Sequence, residues 1–384
     1  MGSAANFEFK KLSCFFPTMS QPPQPCLFVD IGSVITKAVL FSREKNGFRL
    51  TGRQECLTSD RSINHIYNSL NLSPELTEVL ISYSPKVKVG VAEEGVPEGE
   101  LIGNLCQSLV QKENFIIMEI GAGKSWLWRG INGRCESNLV EYGVGGGARR
   151  AVRGFASEAK LARWLTEQVT YQEVGDYVGN KSIFPWQLPD TQRALFLEQA
   201  LAREILTEFG FVDWDIINRV ILGGAVLAGV PAWCQLVLMF LDGTSAEGVN
   251  EVWVDQCGLL PFLSRLGEDS ETFLVCLGTT VALSHRQKAG SVLGRFFLDW
   301  GLDEEMEVVL KSGDLIRVPL SKDQECAMKV ELAGDVELRG FNPEVKLKGG
   351  EVGLVIDARG RPLIKPKVSE EGRKLVKRWK EALK

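Results

Sequence analysis

The sequence predicts an α/β protein made of two related halves followed by a β-rich unit. Three observations carry that prediction. Residues 27–41 and 115–128 each run apolar strand, glycine turn, apolar strand. Segments with the strand period and segments with the helix period alternate after each of these hairpins. From about residue 295 to 366 the chain is a succession of short strands and turns, with little helix until residues 370–383.

In order along the chain, residues 1–26 hold Ser, Pro and Gln without a sustained period and read as a flexible N-terminal tail. The first half, 27–114, opens with strands at 27–32, 36–42 and 48–54, the last two joined by a turn at Lys45-Asn46-Gly47. A helix near 62–70 and strands at 78–83 and 87–92 follow. The helix at 100–112 then sets Leu101, Leu105 and Leu109 on one stripe. The second half, 115–290, repeats this grammar. Val29-Asp30-Ile31-Gly32-Ser33 and Met118-Glu119-Ile120-Gly121-Ala122 place an acid, a glycine and a small residue at matching offsets, and Asn132-Gly133 closes a further hairpin. Gly143 to Gly147 reads as a flexible connection, in preference to a hinge or a phosphate contact, followed by helices at 157–170 and 191–209 and buried strands at 220–222, 252–255 and 272–277. Residues 291–384 form the β-rich unit with its final helix, whose Lys374, Lys377, Arg378, Lys380 and Lys384 read as a solvated face.

Composition narrows the function. With 384 residues, 45% of them hydrophobic, the chain can bury sizeable cores, which excludes fibrous and wholly disordered proteins. The net charge of −5 provides no basic field for nucleic acid. Nine cysteines without a Cys-x-x-Cys pair, and only His65 and His285, indicate neither a zinc cage nor a disulfide framework, and a reducing cytoplasm fits. Val220 to Leu241 imitates a membrane span, but Gly223-Gly224, Gly229 and Pro231 interrupt it, and a strand, a turn and a buried helix explain it better.

Three turns carry the chemistry. In the first, Gly32 admits close backbone approach, Ser33 and Thr36 offer hydroxyls, Lys37 offers charge, and Asp30 suits a hydrated Mg²⁺. The same residues also suit an ordinary hairpin in which Asp and Gly only make the turn. The second turn, Glu119 to Ser125, ends in Gly-Lys-Ser but is not a P-loop: Met118 stands where the first P-loop glycine belongs, and Trp126-Leu127-Trp128 continues as a strand. As a phosphate-facing hairpin it offers Gly121, Gly123, Lys124 and Ser125, with Glu119 as a second Mg²⁺ ligand. The third is the strand ending in Gly223-Gly224, whose bare backbone could admit an adenine or a ribose.

This succession of turns resembles the superfamily of actin, sugar kinases and heat-shock chaperone ATPases. Residues 30–41, Gly223-Gly224-Ala225-Val226-Leu227 and above all residues 349–363, ending Asp357-Ala358-Arg359-Gly360-Arg361-Pro362-Leu363, resemble the MutL family associated with glutamate mutase, which is unrelated to the mismatch-repair protein of that name. The resemblance implies an actin-like two-lobed ATPase fold with ribonuclease H-like halves and a C-terminal β-rich unit, with ATP and Mg²⁺ held between the lobes. It assigns the first phosphate loop to Asp30, Gly32, Ser33, Thr36 and Lys37, the second to Glu119, Gly121, Gly123 and Ser125, and the adenosine turn to Gly223 and Gly224. It also implies a protein partner, either a cobalamin-dependent mutase or an assembly apparatus, and is compatible with a homo-oligomer. The chain departs from the superfamily in having Glu119 for the usual Asp and Lys124-Ser125 for paired Thr, and the insert between the first two loops is missing. Binding is therefore expected more firmly than hydrolysis. A slow ATPase acting on a partner and a non-hydrolysing nucleotide-binding scaffold both remain open. A small-molecule kinase lacks an acidic base between the loops. Arg359 and Arg361 read as a tight turn with structural ion pairs in preference to ligand contacts.

Overall fold

The computed structural model describes residues 26–31, 35–44, 47–58, 66, 69–70, 78–83, 96–266, 271–301, 305–343 and 346–384. The expected tail, Gly32 and Ser33 of the first turn, the strand at 87–92 and most of the helix at 62–70 lie outside these residues. The chain divides into two compact units, Met1–Asn104 with Pro261–Ser270, and Leu105–Leu260 with Glu271–Lys384.

The first unit contains β1 (Cys26–Ile31), β2 (Ile35–Glu44), β3 (Gly47–Leu57), β4 (Glu78–Tyr83) and β5 (Val96–Pro97) in one sheet of order β3-β2-β1-β4-β5. The first three strands form an antiparallel meander, and β4 and β5 extend it in parallel. A parallel neighbour buries both faces of β1, which is why it reads as a continuous apolar run interrupted only by Asp30. Phe28 stacks on Phe262 at 5.0 Å, with Leu27, Val29 and Phe41 buried beside them.

The helix α1 (Glu98–Leu109) follows, with Leu101, Leu105 and Leu109 buried as their spacing predicts. The second unit then opens with the meander β6 (Phe115–Ile120), β7 (Ser125–Ile131) and β8 (Arg134–Val140). Asn132 and Gly133 turn between β7 and β8 with φ of 50° and 77°, as a two-residue hairpin demands. The helices α2 (Ala148–Gly154), α3 (Glu158–Ala162), α4 (Tyr171–Ile183) and α5 (Gln192–Thr207) lead to β9 (Arg219–Gly223), and α6 (Ala225–Ala228) and α7 (Trp233–Thr244) lead to β10 (Gly248–Val254). The strands β9 and β10 add in parallel, giving β8-β7-β6-β9-β10, the same order as in the first unit. Three antiparallel strands extended by two parallel ones make a ribonuclease H-like sheet, and two such sheets in one chain make the fold actin-like.

After α8 (Leu263–Leu266) come β11 (Val275–Ala282), β12 (Val292–Asp299), β13 (Glu305–Lys311), β14 (Asp314–Val318), β15 (Glu325–Leu332), β16 (Leu347–Lys348), β17 (Gly353–Ala358) and α9 (Glu370–Ala382). The C-terminal stretch is β-rich as expected, but it is not set apart from the second unit. The strands β11, β17 and β14 extend that unit's sheet beyond β10, while β13-β12-β15-β16 form a four-stranded sheet of their own. Leu293, Phe296 and Leu298 share one buried cluster with Leu354 and Ile356, so the two sheets have a common core.

The helix expected at 157–170 is absent: only Glu158–Ala162 is α-helical there, and Thr170 caps α4 in its place. Thr170 Oγ1 accepts from the Glu173 amide while Glu173 Oε2 accepts from the Thr170 amide, a reciprocal capping box. The apolar stretch 220–241 resolves into β9, the Gly-Gly turn, α6 and α7. Among the described residues no helix is long and apolar enough to cross a membrane.

Candidate functional site

In the second unit the Glu119 hairpin and the Gly223-Gly224 turn stand at one sheet edge. The strands β6 and β9 run parallel with Glu119 opposite Gly223, so both chains leave the sheet together at the carboxyl ends of their strands. In α/β sheets that edge is where ligands bind. The two glycines are required there. A side chain on Gly224 would collide with the carbonyl of Ile120, and its φ of +90° suits glycine alone. A methyl on Gly223 would press on Leu260 and lie 3.7 Å from Glu119 Cγ.

The hairpin turn, residues 121–124, is tied down from one side. Its ends are closed by the Gly121 amide donating to Lys124 O at 2.9 Å. The amide of Val144 donates to Gly121 O at 3.1 Å, those of Gly145 and Gly147 to Ala122 O at 2.8 and 3.0 Å, and Arg150 Nη2 to Gly123 O at 3.2 Å. A trans peptide points its C=O and N–H in opposite directions. Holding the carbonyls of Gly121, Ala122 and Gly123 against residues 143–150 therefore turns the amides of Ala122, Gly123 and Lys124 the other way, and consecutive amides so arranged favour an anion. The residues present thus fit a phosphate group.

This bracing replaces the flexible connection expected at Gly143 to Gly147. That segment is a packed support, and a methyl on Gly147 would stand 2.6 Å from Gly123 O. Sequence reading missed this supporting role and the part of Arg150 in it. The signal was the density of glycines, which marks close backbone approach as readily as freedom.

The two hairpins share a further property. Thr36 pairs with Ile31 and Ser125 with Ile120 in register, and both hydroxyl residues are fully buried. Thr36 Oγ1 lies 3.1 Å from Thr58 Oγ1, and Ser125 Oγ donates to Tyr142 O at 2.8 Å. For either hydroxyl to meet phosphate, it must first give up this internal bond. Lys124 Nζ is 2.9 Å from Glu141 Oε1, so its charge is engaged at the surface. In the first unit Asp30 is the penultimate residue of β1, as Glu119 is of β6, and it pairs in register with Lys37 on β2 and Ser82 on β4. Among the described residues no group of three or more His, Cys, Asp or Glu forms a metal cluster, and the described cysteines are free thiols.

Within residues 357–363, Asp357, Arg359 and Arg361 lie apart from these turns in a buried ion network. Asp357 Oδ1 accepts from Arg359 Nε at 2.9 Å, and its Oδ2 accepts from Arg359 Nη2 and Arg361 Nη2, each at 2.7 Å. The two guanidinium groups hold the Asp357 carboxyl far below the usual carboxylate range despite its complete burial. Arg361 Nε also donates to Ala246 O at 2.7 Å, and the Arg359 guanidinium sits 4.5 Å from the centre of the Trp379 ring. The structural reading of Arg359 and Arg361 thus matches the geometry.

No protein-family model matches the chain, and no curated protein matches it in sequence. Solved structures similar to it include component A of (R)-2-hydroxyglutaryl-CoA dehydratase from Acidaminococcus fermentans, at 13% identity and a TM-score of 0.39 over 64% of this chain and 99% of that one. The activator of 2-hydroxyisocaproyl-CoA dehydratase from Clostridium difficile, solved with bound ADPNP, has 13% identity and a TM-score of 0.39 over 65% and 96%. An ethanolamine utilization protein from Carboxydothermus hydrogenoformans has 13% identity and a TM-score of 0.36 over 64% and 90%. Likenesses of this degree add nothing to what the strand order establishes.

Proposed function

We propose that this protein binds ATP with Mg²⁺ and, as a slow ATPase of the MutL type, acts on a protein partner through a nucleotide-dependent change of shape. The observation that carries the proposal is the hairpin of the second unit, whose Ala122, Gly123 and Lys124 amides are turned outward beside the Glu119–Gly223 register pair. These amides would take phosphate oxygens, and Gly223 and Gly224 would leave room for the adenosine. Glu119 would hold the metal through water. Asp30 would do the same in the first unit, whose phosphate residues are Gly32, Ser33, Thr36 and Lys37. Bound Mg²⁺ neutralises phosphate charge and orients the terminal phosphoryl group. The sequence resemblance points to a cobalamin-dependent mutase or an assembly apparatus as the partner, and the free thiols suit a cytoplasmic setting.

A second reading, a scaffold that binds nucleotide without turnover, is favoured by one specific feature. Ser125 and Thr36 spend their hydroxyls inside the protein, and Lys124 is held by Glu141, so the second loop presents amides and few side chains. Titration with ATP and ADP, with and without Mg²⁺, tests the proposal on the wild type and on Gly224→Ala, Asp30→Ala and Lys124→Thr. Mg²⁺-dependent ATP binding that Gly224→Ala abolishes and Asp30→Ala weakens is the expected result. Equal binding by the wild type and Gly224→Ala, or none by either, overturns it. Phosphate release that disappears in Asp30→Ala supports the ATPase, binding without release supports the scaffold, and release only on adding a small acceptor would mean a kinase. A rise in turnover in Lys124→Thr would mean that the native loop is set against hydrolysis.

A further inference from the structure

A cavity of about 750 Å³ opens in the second unit, away from both glycine turns. The start of α5 contributes Thr191, Arg193 and Phe196 to its wall, the start of α7 contributes Ala232 and Leu238, and α9 contributes Lys377 and Lys380. Its size is that of a small-molecule site. The lining combines an apolar surface with an excess of cations, since Arg193, Arg203, Lys377, Lys380 and Lys384 outnumber Glu167 and Glu381.

Most of these cations already have partners. Arg193 is bound by Glu167 at 2.9 Å and Glu173 at 2.8 Å, Arg203 by Asp242 at 2.8 Å, and Lys377 reaches Glu381 at 3.9 Å. Lys380 differs. Its Nζ lies 3.3 Å from the centre of the Phe196 ring, and among the described residues it makes no ion pair. A ring face is a weak substitute for a carboxylate around a partly buried ammonium. Two helices also begin at this cavity, and α7 does so with Ala232 at its N-cap, which has no side chain to serve the first-turn amides. That positive end reinforces the charge of Lys380 without being the main feature.

We infer that this cavity binds a small organic monoanion, a carboxylate with an apolar body, whose charge pairs with Lys380 and whose body lies against Phe196 and Leu238. A monoanion suits the cavity because Lys380 is the one half-buried lining cation without an ion pair among the described residues, Lys384 being exposed at the rim. Burial, reinforced by the nearby Arg203, pushes the Lys380 ammonium down to about 7, and a bound carboxylate would restore its charge. The surrounding charges act on it in both directions, with Arg203 and Lys384 opposing its protonation and Asp242 and Glu167 favouring it.

The test uses the full chain at pH 7 with sodium octanoate and its neutral isostere octanamide, with binding read by calorimetry. Octanoate is expected to bind the wild type, and octanamide about tenfold or more weakly, as the loss of a charge-assisted contact requires. Lys380→Met should weaken octanoate about tenfold and leave octanamide unchanged. In the wild type, octanoate should also protect Lys380 from acetylation by acetic anhydride, read by peptide mass spectrometry, which needs no variant to fold. Saturating ATP with Mg²⁺ should leave octanoate binding by the wild type unchanged, which separates this site from the nucleotide turns. Failure of octanoate to bind, equal affinity for acid and amide, unchanged binding by Lys380→Met, or the absence of protection at Lys380 each overturns the inference.

Discussion

Arg359 Nη1 lies 2.7 Å from Asp242 Oδ1, joining residues 117 apart in sequence within the buried interior. The second oxygen of Asp242 accepts from Arg203 Nε at 2.8 Å, so this one carboxylate on α7 binds the arginine after β17 and the arginine of α5 together. Removing it leaves the Arg203 guanidinium buried without its counter-charge and the Arg359 guanidinium with Asp357 alone. Asp242→Ala is expected to lower unfolding stability by about 3–5 kcal/mol, the cost of breaking a buried pair from one side. Denaturant unfolding measures it, and a loss below about 1 kcal/mol would contradict the network's importance.

Asp357 sets an acid limit on stability. Its carboxyl titrates well below its ordinary 3.8 because Arg359 and Arg361 stabilise the ionised form. The unfolded chain therefore binds this proton at a higher pH than the folded protein does, and stability must fall as the pH drops. The contribution is fully present above about pH 5 and is lost progressively below the ordinary carboxylate range. Melting temperatures of the wild type and Asp357→Asn between pH 2.5 and 7 check this: the variant starts lower and loses less on acidification.

The support behind the Glu119 hairpin can be tested with neighbouring glycines. A methyl on Gly147 meets Gly123 O at 2.6 Å, whereas one on Gly146 meets nothing within 4 Å. Gly147→Ala is expected to cost about 1–3 kcal/mol and to weaken nucleotide binding, while Gly146→Ala stays within about 0.5 kcal/mol of the wild type. Thermal unfolding and ATP titration of the two variants side by side give the comparison.

Lys380 predicts a dependence of the same sign in a higher pH window. Its ammonium is pushed from 10.5 to about 7 by burial. Between those values the unfolded chain holds the proton and the folded protein does not, so this group makes stability rise with pH across that window. Lys380→Met is expected to exceed the wild type by about 1–2 kcal/mol at pH 7, allowing for the amine's access to solvent, with the gap closing near pH 10–11. Chemical denaturation at both ends of that range reads the difference.

Much of this architecture could be read from residue order. The hairpins at 26–44 and 115–131, the Asn132-Gly133 turn and the strand before Gly223 each combine an apolar run with a local turn signal, and those signals decide local structure. What escaped was non-local. Gly143 to Gly147 looks loose in sequence because nothing local says that the Ala122 carbonyl lies against it. Ser125 and Thr36 look available because the internal partners that engage them, Tyr142 O and Thr58 Oγ1, lie 17 and 22 residues further along the chain. The helix expected at 157–170 shows a different failure. The preceding helix ends at Ala162, and the Thr170-x-x-Glu173 box starts a new one at Tyr171.

Gly145 carries a consequence beyond the hairpin. Its Cα abuts both Ala122 and Pro185, so close that a methyl there would stand 3.0 Å from one side chain and 2.8 Å from the other. Around Pro185, Ile183, Phe184, Trp186 and Leu188 are all exposed to water. The glycine is a spacer of fixed width: only a residue without a side chain seats the Ala122 turn this close to a greasy outer surface.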